Sequence, residues 1–258
     1  MLLDQAGLDK RAVSRGFSGC YETYTSEAVV QQQIALKLAC MVQQQLAIMP
    51  HRAVEVGCGS GFMTDRLLRL FPQTEWFLND IAPSSAEYAK AAAKREGVVR
   101  ANFVLGDAEK WELPSGIDLF ASSSAIQWFV DLELFVARLA GAMSSGGIVA
   151  ISSFGPKNLK EVKCLTGNGL SYLGFDELKR LFSRHFEVVD SSELLTSLYF
   201  DKPIDVLKHI KQTGVNGAFR QCWTKGRLEK FCADYAAFAT KDGFPLTYHP
   251  LYVIARKR

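Results

Sequence analysis

The sequence predicts an α/β fold: a seven-stranded, mostly parallel sheet carrying a small helical insertion. Three observations predict it. Short apolar, β-branched runs alternate with segments of helical periodicity through most of the chain. The first such run ends in a cluster of glycines that opens into a helix. About fifty residues separate the last two predicted strands, far too many for a hairpin loop. Strand–helix alternation implies right-handed crossovers, and these give parallel pairing.

The elements follow in order. Residues 27–47 read as a long helix with Ser26 at the N-cap and Val30, Ile34, Leu38 and Met41 at helical spacing. Residues 53–56 (AVEV) are a buried strand ending at glycines. Residues 62–71 form a helix stopped by Pro72, and 75–79 (EWFLN) a second strand. Residues 84–96 form a helix closed by Gly97. Strands follow at 102–105, 117–121 and 147–154, with a helix at 132–143 between the last two. A helix at 175–184 and strands at 186–195 and 246–256 complete the sheet. Between those last strands, 203–213 and 225–240 look helical. The whole chain, 1–258, thus reads as one domain, with an N-terminal helical segment over about 1–48 and a helical lid over about 200–242.

Apolar residues make up 48% and charged residues 22% of the chain, an ordinary globular composition that excludes general disorder. No stretch reads as a transmembrane helix, and MLLDQAGLDKR at the start reads as neither a signal peptide nor an anchor, so a cytoplasmic location and no membrane partner are expected. Six cysteines (Cys20, Cys40, Cys58, Cys164, Cys222, Cys232) form no C-x-x-C and have no histidine at ligand spacing, so free thiols and no metal are expected. Charge is uneven. Residues 1–200 carry 19 basic against 22 acidic side chains, whereas 201–258 carry 11 against 5. The basic C-terminal quarter suits an acidic partner or an anionic substrate.

Val54-Glu55-Val56-Gly57-Cys58-Gly59-Ser60-Gly61 occupies the first strand–turn–helix. Taken alone, G-x-G-x-G also fits a nicotinamide-binding turn. Three carboxylates sharpen the choice. Glu55 sits within an apolar strand end, where an unpaired carboxylate is costly and an ammonium group of a ligand is a natural partner. Asp80, followed by Ile81, ends the second strand and is placed to accept from both hydroxyls of a ribose. Asp107, in Gly106-Asp107-Ala108, ends the third and is placed to accept from an adenine amino group. Ammonium, ribose and adenine together describe S-adenosylmethionine better than a dinucleotide.

The order of glycine loop, Asp80 and Asp107 resembles the motif series of class I methyltransferases, which implies a Rossmann-like sheet with an antiparallel terminal strand. A closer resemblance covers essentially the whole chain. Phe17, Tyr24, Ala28 and Gln31 look like the F-x6-Y-x3-A-x2-Q segment of the malonyl-acyl-carrier-protein O-methyltransferases of biotin synthesis. Ser122-Ser123-Ser124-Ala125-Ile126-Gln127-Trp128-Phe129 is similar to that family's S-N-x-A-x-Q-W-F, with Ser123 replacing asparagine. Ser153-Phe154-Gly155-Pro156 resembles S-T-F-G-P with serine for threonine, Lys211-Gln212-Thr213-Gly214-Val215-Asn216 resembles K-x-T-G-A-N, and Leu246-Thr247-Tyr248 the closing L-T-Y.

The resemblance implies methyl transfer from S-adenosylmethionine to the free carboxylate of a malonyl thioester on acyl carrier protein or coenzyme A, leaving S-adenosylhomocysteine. The methyl ester then starts pimeloyl synthesis. A malonyl carboxylate with a pKa near ~4 is ionised at neutral pH, so no general base is needed. Expected cofactor residues are Glu55, Gly57, Gly59, Gly61, Asp80, Ile81, Asp107, Ala108 and Ser122; Tyr24, Gln127 and Trp128 are expected to position the reactants. Phe17, Lys208, Lys211 and Arg220 are the expected substrate or partner contacts, with Lys225 and Arg227 on the same lid. His51 and His185 read as structural; His209 and His249 stay open. Two other readings remain: a methyltransferase of a free small molecule, which would want a base that no residue clearly supplies, and a non-catalytic nucleoside-binding scaffold. Nucleic acid is disfavoured, since there is no N/D-P-P-Y motif and net charge is only +3.

Overall fold

A computed structural model describes residues 9–19, 24, 26–46, 48–214 and 223–258. Nine strands are described: β1 (Arg52–Val56), β2 (Glu75–Asp80), β3 (Ala101–Leu105), β4 (Ile117–Ser123), β5 (Met143–Phe154), β6 (Phe186–Glu193), β7 (Thr196–Phe200), β8 (Phe244–Tyr248) and β9 (Pro250–Lys257). Seven form the main sheet in the order β3-β2-β1-β4-β5-β9-β6, and β7 pairs with β8 in a small second sheet. The β1–β5 pairings are parallel, while β9 runs antiparallel to both β5 and β6. The expected sheet is therefore present, with the last strand of the chain antiparallel inside it.

The described helices are α1 (Lys10–Ser18), α2 (Val29–Gln45), α3 (Thr64–Leu70), α4 (Ser85–Arg95), α5 (Leu132–Ala142), α6 (Lys160–Thr166), α7 (Phe175–Ser183), α8 (Pro203–Gln212) and α9 (Lys225–Tyr235). They cover both faces of the sheet. Strand alternation divides the core: Leu119 and Ala121 of β4 join α2, α3 and α4, whereas Phe120 between them joins α5 and α7. Val206, Ile210, Phe231 and Tyr235 of the inserted region lie in the first of these cores. The insertion is thus packed onto the sheet through the same apolar surface that holds α2.

Several elements differ from expectation. The single strand expected over 246–256 is two, because Pro250 has no amide hydrogen for a continuous ladder and the chain changes sheets at His249, whose carbonyl instead accepts from Gly155 N at 2.8 Å. β7 was not anticipated; its side chains are half-buried or exposed, which leaves a weak apolar alternation. Ser26 does not cap the long helix: Ala28 holds that position and makes no side-chain cap. The short helices α1 and α6 are additional to the expected elements; α1 is short and polar on average, with a single buried residue (Val13). No described helix is long and apolar enough to cross a membrane.

Candidate active site

The C-terminal ends of β1, β2, β3 and β4 converge on a cleft holding about 1020 Å³ of open space, mouth included. Its floor is the turn after β1. Gly57 has φ +74°, and a Cβ there would lie 2.3 Å from the Ala125 Cβ, so only glycine lets this turn pass the end of β4. Gly57 N and Cys58 N both donate to the Asn79 carbonyl, which locks the turn to β2.

Glu55 lines the cleft yet is 1% exposed. Its Oε2 has no hydrogen-bond partner in the protein. Burial raises its carboxyl to about 8, with the charges of Asp65 and Asp80 adding to the shift. A buried acceptor of this kind is completed by a cation, and an ammonium group fits.

Asp80 is held rigidly. Its Oδ2 accepts from Gly59 N at 2.8 Å and its Oδ1 from Ala82 N at 2.7 Å. The Ser85 side chain and the Ile81 backbone also bond to this carboxylate, which lines the cleft at the end of β2. Burial pushes its pKa up, against the lowering effect of these backbone donors.

Asp107 lines the same cleft, as do Gly106, Ala108 and Phe129. Its Oδ1 accepts from Lys10 Nζ at 2.7 Å, and the same ammonium meets Glu109. Lys10, which carries no local signal in the sequence, thus places a cation on the wall of the cleft. It reaches the cleft because α1 lies across the mouth, tied down where Ser14 Oγ donates to the Ile81 carbonyl at 3.0 Å.

Aromatic rings close the other end. Phe17 meets Trp128 edge-on at 5.8 Å and Tyr24 edge-on at 6.2 Å, while Tyr24 stacks on Phe62 at 5.8 Å. Gly214, at the end of α8 with φ +69°, would place a Cβ 2.9 Å from the Phe17 ring. The glycine of the T-G pair therefore admits Phe17 and joins α1 to the insertion. Beyond these rings a smaller inner cavity is lined by Gln31, Gln127, Asn158, Tyr172, Thr213 and Tyr248, among others. Ser124 (φ +54°) and Leu159 (φ +52°), the described non-glycine residues of positive φ, both border it. Strained backbone of this kind gathers at functional sites.

The structure brings together Phe17, Tyr24, Glu55, Gly57, Gly59, Asp80, Ile81, Asp107, Ala108 and Trp128 around the cleft. Other expected residues stand elsewhere. Gly61 (φ +87°) turns the chain into α3 without lining the cleft. Ser122 is fully buried and donates to the Val56 carbonyl at 2.9 Å, so its neighbours Ser123 and Ser124 face the cleft instead. Gln127 lines only the inner cavity of the two, with Nε2 donating to the Ser124 carbonyl at 2.6 Å. Lys208 pairs with Asp205 at 2.7 Å on the surface, and Lys211 is likewise exposed; it is Thr213 that reaches the inner cavity. Arg220 lies outside the described residues, as do Cys20 and Cys222. Cys40, Cys58, Cys164 and Cys232 are free thiols. His209 is buried against the Tyr248 hydroxyl at 2.8 Å, and His249 pairs with Glu193 at 2.9 Å. No group of three or more metal-ligating side chains occurs among the described residues.

Sequence reasoning missed Lys10, Asn158, Tyr172 and the inward face of Tyr248. Tyr248 stood within a quoted motif; Tyr172 and Asn158 carried no local signal, because loop residues reach a site only through the fold.

A family model described as a methyltransferase domain matches residues 53–147. A malonyl-[acyl-carrier protein] O-methyltransferase of Bacteroides helcogenes is 37% identical over 97% of this chain and 100% of that protein. A protein of the same name from Bacteroides fragilis is 38% identical over 99% of this chain, which spans 52% of the relative's length. Among solved structures, the YcgJ protein of Bacillus subtilis shares the fold with a TM-score of 0.61 at 17% identity, over 86% of this chain and 97% of that one.

Proposed function

The chain belongs to the family of malonyl-[acyl-carrier protein] O-methyltransferases, and from that premise we propose that it methylates the free carboxylate of a malonyl thioester carried on acyl carrier protein, using S-adenosylmethionine. The product is the methyl ester that starts pimeloyl synthesis for biotin. The observation that carries the cofactor assignment is the carboxylate series at successive strand ends, above all the buried, unpartnered Oε2 of Glu55.

When bound, the cofactor supplies an electrophilic methyl group on a sulfonium. The protein's part is binding, alignment and exclusion of water. Glu55 takes the ammonium end, Asp80 the ribose hydroxyls and Asp107 the adenine edge, each at its own strand end. α1 covers the mouth through Lys10 and Ser14. Phe17, Tyr24 and Trp128 stand between the cleft and the inner cavity, where the carboxylate approaches. An already ionised carboxylate needs no proton removed, which agrees with a reacting region lined by rings and neutral polar groups rather than by a histidine or a free carboxylate. The basic excess of the insertion suits an acidic carrier protein, and the absence of a membrane-length helix among the described residues agrees with a cytoplasmic setting.

Two experiments test the reading. Calorimetry should show binding of S-adenosylmethionine and S-adenosylhomocysteine but not NAD. Expression in a biotin auxotroph lacking this methyltransferase should restore growth without biotin; NAD binding with no response to S-adenosylhomocysteine, or no rescue by a soluble protein, contradicts it.

A further inference from the structure

The inner cavity holds about 400 Å³ of open space, its opening included, and shares Phe17, Tyr24, Gln31, Ser124 and Trp128 with the cofactor cleft. A group held there lies beside whatever reacts in the cleft. Its far wall comes from segments remote in sequence: Asn158 after β5, Tyr172 before α7, Thr213 after α8 and Tyr248 at the end of β8. No lysine, arginine or histidine lines it among the described residues. The polar groups present are phenols, amides and hydroxyls.

The phenols of Tyr24, Tyr172 and Tyr248 are near neighbours: negative charge on either of the first two disfavours charge on the third. Burial keeps each protonated, raising Tyr172 to about 12 and the others further. The Tyr172 oxygen accepts from Asn158 Nδ2 at 3.1 Å, which leaves its own O–H to donate. Asn158 is itself fixed, its Oδ1 accepting from His249 N at 3.3 Å.

We propose that the methyl-accepting carboxylate is bound in this inner cavity by neutral donors, the Tyr24 and Tyr172 hydroxyls, with Asn158 positioning Tyr172, and not by Lys208 or Lys211 of the insertion. The inference rests on the function proposed above. A guanidinium or ammonium clamp would draw electron density from the attacking oxygen and set a cation against the sulfonium. Neutral donors orient the carboxylate and leave it nucleophilic, and the positive charge that compensates its desolvation is the methyl donor's own. In the step, a carboxylate oxygen forms a bond to the methyl carbon as the carbon–sulfur bond breaks. The electron pair stays on sulfur, and no proton moves.

The test uses malonyl-N-acetylcysteamine, a thioester with one negative charge and no carrier protein. Tyr172→Phe should lower kcat/KM roughly tenfold or more, chiefly through KM, the loss expected for one hydrogen bond to a charged group. Its affinity for S-adenosylhomocysteine should match the wild type although loss of the Asn158 bond lowers its Tm somewhat, which separates a substrate contact from a structural one. Wild-type kcat/KM should change little between low and moderate salt. Wild-type kinetics in Tyr172→Phe, an equal loss of S-adenosylhomocysteine affinity, or a steep fall of kcat/KM with salt would each overturn the inference while leaving the functional reading intact. Absence of methyl transfer by the wild-type protein to any malonyl thioester would overturn both.

Discussion

Lys10 Nζ stands 2.7 Å from Asp107 Oδ1, so the carboxylate that ends β3 is bridged to a helix that precedes the sheet in sequence. Both side chains are mostly buried, and Glu109 shares the ammonium. The bridge fixes α1 over the side of the cleft assigned to adenine. Lys10→Ala should therefore weaken S-adenosylhomocysteine binding by about 1 kcal/mol, roughly fivefold, mainly through faster release. Stopped-flow dissociation checks this; an unchanged release rate would mean that α1 does not hold the cofactor.

Glu55 gives a pH signature. Its folded pKa is raised from the usual 4.5 to about 8, so the unliganded protein retains a proton that the unfolded chain gives up. That contribution to stability is full below about pH 4.5 and is lost as pH rises through 8. The Tm of wild type minus that of Glu55→Gln should thus decline between about pH 5 and 8. Binding an ammonium ligand ionises Glu55, so calorimetry in buffers of different ionisation enthalpy should find proton release near pH 6.5, absent in Glu55→Gln. Proton uptake there would reverse the assignment.

Asp80 both supports the turn and faces the cleft. Asp80→Ala should weaken cofactor binding by about 1.5–3 kcal/mol, as for loss of a charged hydrogen-bond acceptor. Asp80→Asn, which retains one acceptor for Gly59 N or Ala82 N, should lose less. Unchanged affinity in folded Asp80→Ala would displace the ribose from this position.

The basic insertion is assigned to carrier recognition, and part of its charge is already compensated: Lys208 pairs with Asp205, and Lys230 with Asp234. Reversing Lys208 and Lys211 to Glu should slow turnover of malonyl-carrier protein, chiefly through association, and make the remaining rate less salt-sensitive. Malonyl-coenzyme A, with no acidic protein surface, should lose less, and cofactor affinity should hold. Equal losses on both substrates would defeat the docking assignment.

The sheet was legible because its signals are local. β1 to β5 are apolar runs closed by turn residues, and α2, α4 and α5 show helical spacing. The cofactor cleft was legible for the same reason: Glu55, Asp80 and Asp107 stand at strand ends, where parallel topology gathers side chains on one edge. The inner cavity was not, because Asn158, Tyr172 and Thr213 lie on three separate connections, remote in sequence from Tyr24 and Gln31, that meet only in the folded chain. Ser122 shows the finer limit. The motif names its position, but its hydroxyl turns to the Val56 carbonyl and leaves the cleft to its neighbours.

Methyl transfer to the malonyl carboxylate is read directly by intact-mass spectrometry of malonyl-acyl carrier protein after incubation with S-adenosylmethionine. Malonyl-carrier protein should gain one methyl group, removed by mild ester hydrolysis, and acetyl-carrier protein, which has no free carboxylate, should gain none. An unmodified malonyl-carrier protein in the presence of folded, cofactor-binding enzyme, or a methyl group found equally on the acetyl form, would contradict it.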